Sequence, residues 1–194
     1  MSTPALALGA PKRAGKLPTP VLGMLILVVA ESMMFAGMVS AFTIVRGQIP
    51  GGIWPPAGQP RLPFESTMLN TAALVASGVS FWISRELFTK NPERSKKLFL
   101  LTIVLGSLFL GLQGVEWVRL IAQGLTAKSS VHGGFFYLIV GAHGLHVLAA
   151  VIVLLWAFWK LRANRLGEAT FSGVRVLWSF VVALWPFLYL RVYL

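Results

Sequence analysis

The stretch Phe135–Trp159, FFYLIVGAHGLHVLAAVIVLLWAFW, decides the fold. It contains no Asp, Glu, Lys or Arg, and it exceeds the roughly 20 apolar residues that carry a helix across a hydrocarbon core about 30 Å thick. Outward from it, four more stretches have the same character: about Pro20–Val45, Phe64–Ser84, Leu98–Trp117 and Phe171–Tyr193. The sequence therefore predicts an all-α, polytopic membrane protein with five transmembrane helices in a bundle, residues 20–194 forming one domain. Residues 1–19 carry Lys12, Arg13 and Lys16 with Pro4, Pro11 and Pro18 and no sustained apolar periodicity, and read as a flexible basic tail. The apolar run that follows is too long for the h-region of a signal peptide and no small-residue cleavage site is evident, so the first span is retained.

Composition agrees. Of 194 residues 56% are hydrophobic and only 12% charged, with a mean hydropathy of +0.76, where a soluble domain carries about 25% charged residues. The 17 Lys and Arg against 6 acids give a net charge of +11, which in a soluble protein would suggest nucleic acid. Here the bases cluster in short connections between long uncharged runs, as in loops held against an anionic membrane surface, and no nucleic-acid partner is expected. The absence of cysteine excludes a disulfide framework, a thiolate metal site and a cysteine nucleophile.

The bases also set an orientation. Lys12, Arg13, Lys16, Arg85, Lys90, Arg94, Lys96, Lys97, Lys160, Arg162, Arg165 and Arg175 fall on one side, and Arg46, Arg61, Arg119, Lys128 and Arg191 on the other. Twelve against five places the N-terminus in the cytoplasm and the C-terminus outside. The proline-rich Arg46–Pro63 connection then lies outside, with Trp54 at headgroup depth. No internal repeat is visible, which weighs against a transporter built from duplicated halves.

Few polar groups enter the spans. Glu31, near the centre of the first, must be protonated, paired or turned to a polar cavity. It reads equally as a proton or headgroup site and as a carboxylic acid hydrogen-bonded to a neighbouring helix. His143 and His146 lie three apart, about 60° around the helix, and can face one groove. No metal is expected on them: the remaining histidine, His132, is about 16 Å along the axis from His143, so the pair reads as hydrogen-bonded to a neighbouring helix or a lipid phosphate. Glu31 and His146 fall at similar depth and are potential partners. Glu116, at the outer end of the third span, reads as an interfacial ion pair with Arg119. Glu65, at the outer start of the second, reads as a solvated acid complementing the helix dipole. Small residues, including Gly37, Ala41, Gly78, Gly106, Gly111, Gly141 and Gly144, suit close helix packing. Nothing resembles a nucleophile with its base, a phosphate loop or paired catalytic carboxylates.

Several short motifs stand in a telling order: Glu31, Met34-Phe35-Ala36-Gly37; Trp54-Pro55-Pro56 with Gly58; Leu69-Asn70-Thr71 and Ala76-Ser77-Gly78-Val79-Ser80; Leu112-Gln113 and Glu116 before an aromatic; and His143-Gly144-Leu145-His146-Val147. From about Gly23 to the C-terminus the chain resembles subunit III of the haem-copper respiratory oxidases, in the short five-helix bacterial form that begins at the third helix of the seven-helix members. In the last span, Trp178-Ser179-Phe180-Val181-Val182 departs from the family's Trp-x-His-Phe-x-Asp-like pattern.

The resemblance implies a non-catalytic subunit of a proton-pumping cytochrome c or quinol oxidase in a bacterial inner membrane. It would carry no cofactor, the haem and copper residing in the catalytic subunit I, with subunits II and IV and a larger respiratory supercomplex as further partners. It further implies that phospholipid is bound, with Glu31 at the family's carbodiimide-reactive glutamate and His146 and Lys160 at headgroup-contacting positions, and that the helix wall carrying Glu31 meets lipid or another subunit. The competing readings are an accessory subunit of a nitric oxide reductase, a small proton-linked channel or transporter, and a haem-binding cytochrome.

Overall fold

The computed structural model describes residues 17–49, 60, 62 and 64–193. Trp54 with most of its connection, and the tail up to residue 16, lie outside the described residues. Five helices follow in order: α1 (Thr19–Gly47), α2 (Phe64–Leu87), α3 (Pro92–Ala122), α4 (Val131–Arg162) and α5 (Glu168–Val192). Each is long and apolar enough to cross a membrane.

The helices overrun the apolar stretches that announce them. α3 begins at Pro92 and not at Leu98, and ends five residues beyond Trp117. α4 runs from Val131 to Arg162, and α2 continues to Leu87. The reason is local. Asn91 caps α3 by accepting from the Arg94 N–H at 3.1 Å, and Pro92 has no N–H to leave unsatisfied. Ser130 does the same for α4, accepting from the Gly133 N–H at 3.0 Å. A bilayer with its headgroups is about 40–45 Å thick, which leaves room for charged turns to continue a helix beyond the hydrocarbon.

α5 packs against α1, α2 and α4, while α3 closes the bundle between α2 and α4. The interior is aromatic: Phe35, Phe81, Phe99, Phe109, Phe136, Phe171, Trp178 and Trp185 are all fully buried. Gly106 of α3 makes room for Trp178, whose ring carbon would sit 2.6 Å from a Cβ at that position. Not every small residue serves packing within the chain. Nothing lies within 4 Å of where a Cβ would stand on Gly37 or Gly111, so both face outward.

The α2–α3 hairpin has a regular polar seam. Along the seam the buried positions on α2 include Thr67, Asn70, Leu74, Ser77, Phe81 and Ser84, with Ser80 beside them, and on α3 Ser95, Phe99, Thr102, Gly106, Phe109, Gln113, Glu116 and Leu120, with Ile103 beside them. These alternate spacings of three and four are the 3.5-residue repeat of a left-handed helix pair. Ser84 and Ser95 donate to each other's carbonyls at 2.8 Å, Ser80 donates to Leu98 O at 3.0 Å, and Thr102 to Ser77 O at 3.3 Å. At the lysine-rich end, Arg85 donates to Ser172 Oγ and lies 3.6 Å from Glu168, and Arg175 pairs with Glu86 at 3.2 Å, tying α2 to α5.

Candidate functional site

α1 is held to the bundle along one edge, where Phe35, Val39 and Phe42 are buried. One turn before Phe35, Glu31 points along that edge toward α4 and its Oε2 lies 2.9 Å from His146 Nε2. His146 Nδ1 lies 2.7 Å from the carbonyl of Ala142, one turn back on α4. A carbonyl only accepts, so Nδ1 must carry a hydrogen, and the Nε2···Oε2 contact then holds a single proton, on one partner or the other. Either way the pair is neutral as a unit, which is how a carboxyl is carried inside hydrocarbon at modest cost. The two side chains remain 22% and 27% exposed, so the pair opens onto the face of the bundle. Phe35 packs edge-on against both His143 and His146, with ring centroids 6.4 and 5.4 Å away.

His143 does not share the groove of His146. It is 1% exposed and stacks on Trp185 at 5.0 Å, edge-on to Phe109 at 6.3 Å. Among the described residues neither ring nitrogen has a hydrogen-bonding partner, contrary to the expected bond to a neighbouring helix: the aromatic residues of α3 and α5 fill the space where a polar partner would stand. Neither imidazole suits a metal or haem iron. His146 commits both nitrogens, and those of His143 lie among rings that offer no second ligand. Among the described residues no group of three His, Cys, Asp or Glu could hold a metal ion. Lys160 sits 4.1 Å over the ring of Trp156. It is 14 residues along α4 from His146, about 21 Å, so the two cannot hold one headgroup.

Glu116 is the main correction. It is 7% exposed and makes no ion pair with Arg119. Thr67 donates to its Oε2 at 2.8 Å, Tyr193 to its Oε1 at 2.7 Å, and Gln113 donates to the Tyr193 hydroxyl at 3.2 Å. Position 116 belongs to the buried seam, which turns the carboxyl inward, while Arg119 is exposed. Thr67, Asn70, Gln113 and Tyr193 are thus site residues that span-by-span reading missed. The three-four spacing of polar residues along α2 and α3 was the signal that could have found the first three. Glu65 is exposed in the first turn of α2, where an acid meets the positive end of the helix dipole.

The profile of the family described as cytochrome c oxidase subunit III matches residues 19–194. A cytochrome c oxidase subunit 3 from Pelomedusa subrufa is 35% identical over 179 residues, 88% of this chain and 67% of the relative. Those from Rattus norvegicus and Pyricularia grisea are 34% and 33% identical, covering 67% and 66% of the relatives. The chain thus spans about two thirds of the length of the relatives it matches, and their names favour an oxidase over a nitric oxide reductase accessory subunit or a channel. The arrangement of five apolar helices and the match over nearly all of them lead to one assignment: this chain belongs to the cytochrome c oxidase subunit III family, a membrane subunit of the haem-copper oxidases.

Proposed function

We propose that the chain is a non-catalytic subunit that stabilises the haem-copper catalytic subunit and orders phospholipid around Glu31. The observation that carries this reading is the Glu31–His146–Ala142 chain of hydrogen bonds. It ends on a backbone carbonyl, which has no proton to pass on, so the pair supports holding a position more than relaying protons. Glu31 and His146 stand on a face that is half open, where a lipid headgroup or a helix of another subunit can reach them. Lys160, far along the same helix, would meet a separate headgroup as a point charge.

The proposed partners are the catalytic subunit I and subunits II and IV, within a larger respiratory supercomplex. The proposed setting is a bacterial cell membrane with the N-terminus cytoplasmic, an orientation supported by the Lys and Arg asymmetry.

Substituting Glu31→Gln tests the reading. Initial turnover and proton pumping of the complex should stay near wild type, while lipid content changes or the lifetime of activity shortens. Immediate loss of pumping would contradict it.

A further inference from the structure

All three tyrosines of the sequence, Tyr137, Tyr189 and Tyr193, lie in one connected set of rings. Trp117 meets Tyr137 at 6.0 Å between centroids, Tyr137 meets Phe136 at 5.1 Å, and Phe136 meets Tyr193 at 5.7 Å. Tyr193 in turn lies 5.4 Å from Tyr189 and 6.2 Å from Trp185. The set begins at the surface of the bundle, where a pocket of about 670 Å³ opens between α3 and α4. Trp117 and Tyr137 stand in its wall, together with Gln113, Gly114, Leu138 and Leu145. Indole and phenol rings give up single electrons far more readily than phenyl rings, so a hole placed on Trp117 or Tyr137 can pass to Tyr193 across the one ring of Phe136.

What separates these rings is where a proton can go. An oxidised phenol or indole is a strong acid, and the hole rests where a base takes its proton. The Nε1 of Trp117 is buried with no hydrogen-bonding partner among the described residues. Tyr137 donates to the carbonyl of Leu125 at 2.9 Å, and Trp185 Nε1 to the Thr71 hydroxyl at 2.8 Å; neither acceptor is a base. Of these four rings only Tyr193 donates to a carboxyl group, Glu116 Oε1 at 2.7 Å, within the distance over which a proton is handed along a hydrogen bond. Thr67 holds the other oxygen of Glu116 at 2.8 Å, and Gln113 bonds the carboxyl as well as the Tyr193 hydroxyl. Each of these bonds favours the ionised carboxylate, the form that accepts a proton.

We propose that Tyr193 is a proton-coupled redox site that quenches membrane-borne peroxyl radicals, its electron leaving through Tyr137 and Trp117 and its proton moving to Glu116. A peroxyl radical at the α3–α4 pocket takes one electron from Trp117 or Tyr137 and one proton from the outer aqueous layer, and becomes a hydroperoxide. Tyr193 replaces that electron. Its O–H bond breaks, the proton goes to Glu116, and the unpaired electron stays on the phenoxyl ring. One radical is consumed for each Tyr193 oxidised. The site is separate from the Glu31–His146 pair and does not rest on the reading of that pair.

The test exposes the intact oxidase complex in liposomes to a lipid-soluble azo initiator, whose decomposition in air supplies peroxyl radicals, and freezes it for electron paramagnetic resonance. Wild type should give a tyrosyl signal that Tyr193→Phe loses, while peptide mapping finds more oxygen added to Trp117 and Tyr137 in that variant. Glu116→Gln keeps the tyrosine and the shape of its partner but removes the base, and should lower the signal several-fold; it carries the test where Tyr193→Phe fails to assemble. Trp82→Phe, at an exposed ring on α2, should match wild type. A tyrosyl signal as strong in Tyr193→Phe or in Glu116→Gln as in wild type, or an equal loss in Trp82→Phe, would overturn the proposal.

Discussion

Glu31 and His146 show how far a membrane sequence can be read one residue at a time. The hydrocarbon core works as a ruler: residues counted from the ends of two spans put both side chains at similar depth, and the structure joins them at 2.9 Å. Because they share one proton, losing one partner strands the other. Glu31→Leu alone should destabilise the subunit by about 1–2 kcal/mol, and the double variant Glu31→Leu/His146→Leu should recover most of that loss, read as the midpoint of thermal inactivation of the complex. A double variant no better than the sum of the singles would show that the pair does not act as a unit. Depth alone fails for Glu116. Its donors Thr67 and Tyr193 are 49 and 77 positions away, and the near neighbour Arg119 looked the better partner until the helix face was fixed. Tyr193→Phe removes one donor from Glu116 and the acceptor of Gln113. Leaving such buried groups short of partners should cost about 1–3 kcal/mol, measurable in the same inactivation assay. His143 eluded the sequence for a related reason: its surroundings are rings from three other helices, Phe35, Phe109 and Trp185.

At the scale of elements, the existence and order of the five helices were legible because a bilayer leaves the backbone few alternatives to a helix. Their ends were not. Apolar runs report where the hydrocarbon stops, whereas Asn91 and Ser130 report where the helices start. The packing of α2 on α3 was legible in principle, since Asn70, Ser77 and Ser84 recur every seven residues, but small and polar residues on a span do not announce which helix they meet. Gly106 and Gly37 make the contrast. Both looked like packing positions, yet a Cβ on Gly106 would collide with Trp178 and one on Gly37 would meet nothing. Gly106→Ala should therefore destabilise the bundle by about 1–3 kcal/mol through overpacking, and Gly106→Ala/Trp178→Phe should regain part of it. Gly37→Ala should leave the isolated subunit's thermal midpoint unchanged. A Gly106→Ala protein as stable as wild type would contradict the tight α3–α5 contact.

For the whole molecule, the excess of bases is a topology signal. Several of them are engaged locally, Arg85 with Glu168, Lys96 with Glu93 and Arg175 with Glu86, yet the asymmetry stands because orientation follows Lys and Arg and not net charge. The absence of cysteine makes this directly testable. In intact cells a membrane-impermeant thiol reagent should label Lys128→Cys and spare Arg165→Cys; the reverse pattern would invert the proposed topology. Among the described residues α1 buries Phe35, Val39 and Phe42 against the bundle, and its other faces, with Leu22, Ile26, Val29 and Met33 exposed, suit lipid or a neighbouring subunit. The family assignment makes the chain a subunit of an oxidase complex, and the proposed role is one exercised through its partners. The most direct measurement is purification through a tag on this chain followed by absorption spectroscopy of the complex and of the chain separated from it. The expected result is co-purification of a haem-copper subunit, with the haem spectrum following that partner and the separated chain colourless. Recovery of the chain without a haem-copper subunit, or a Soret band that stays with the chain after separation, would contradict the proposed role.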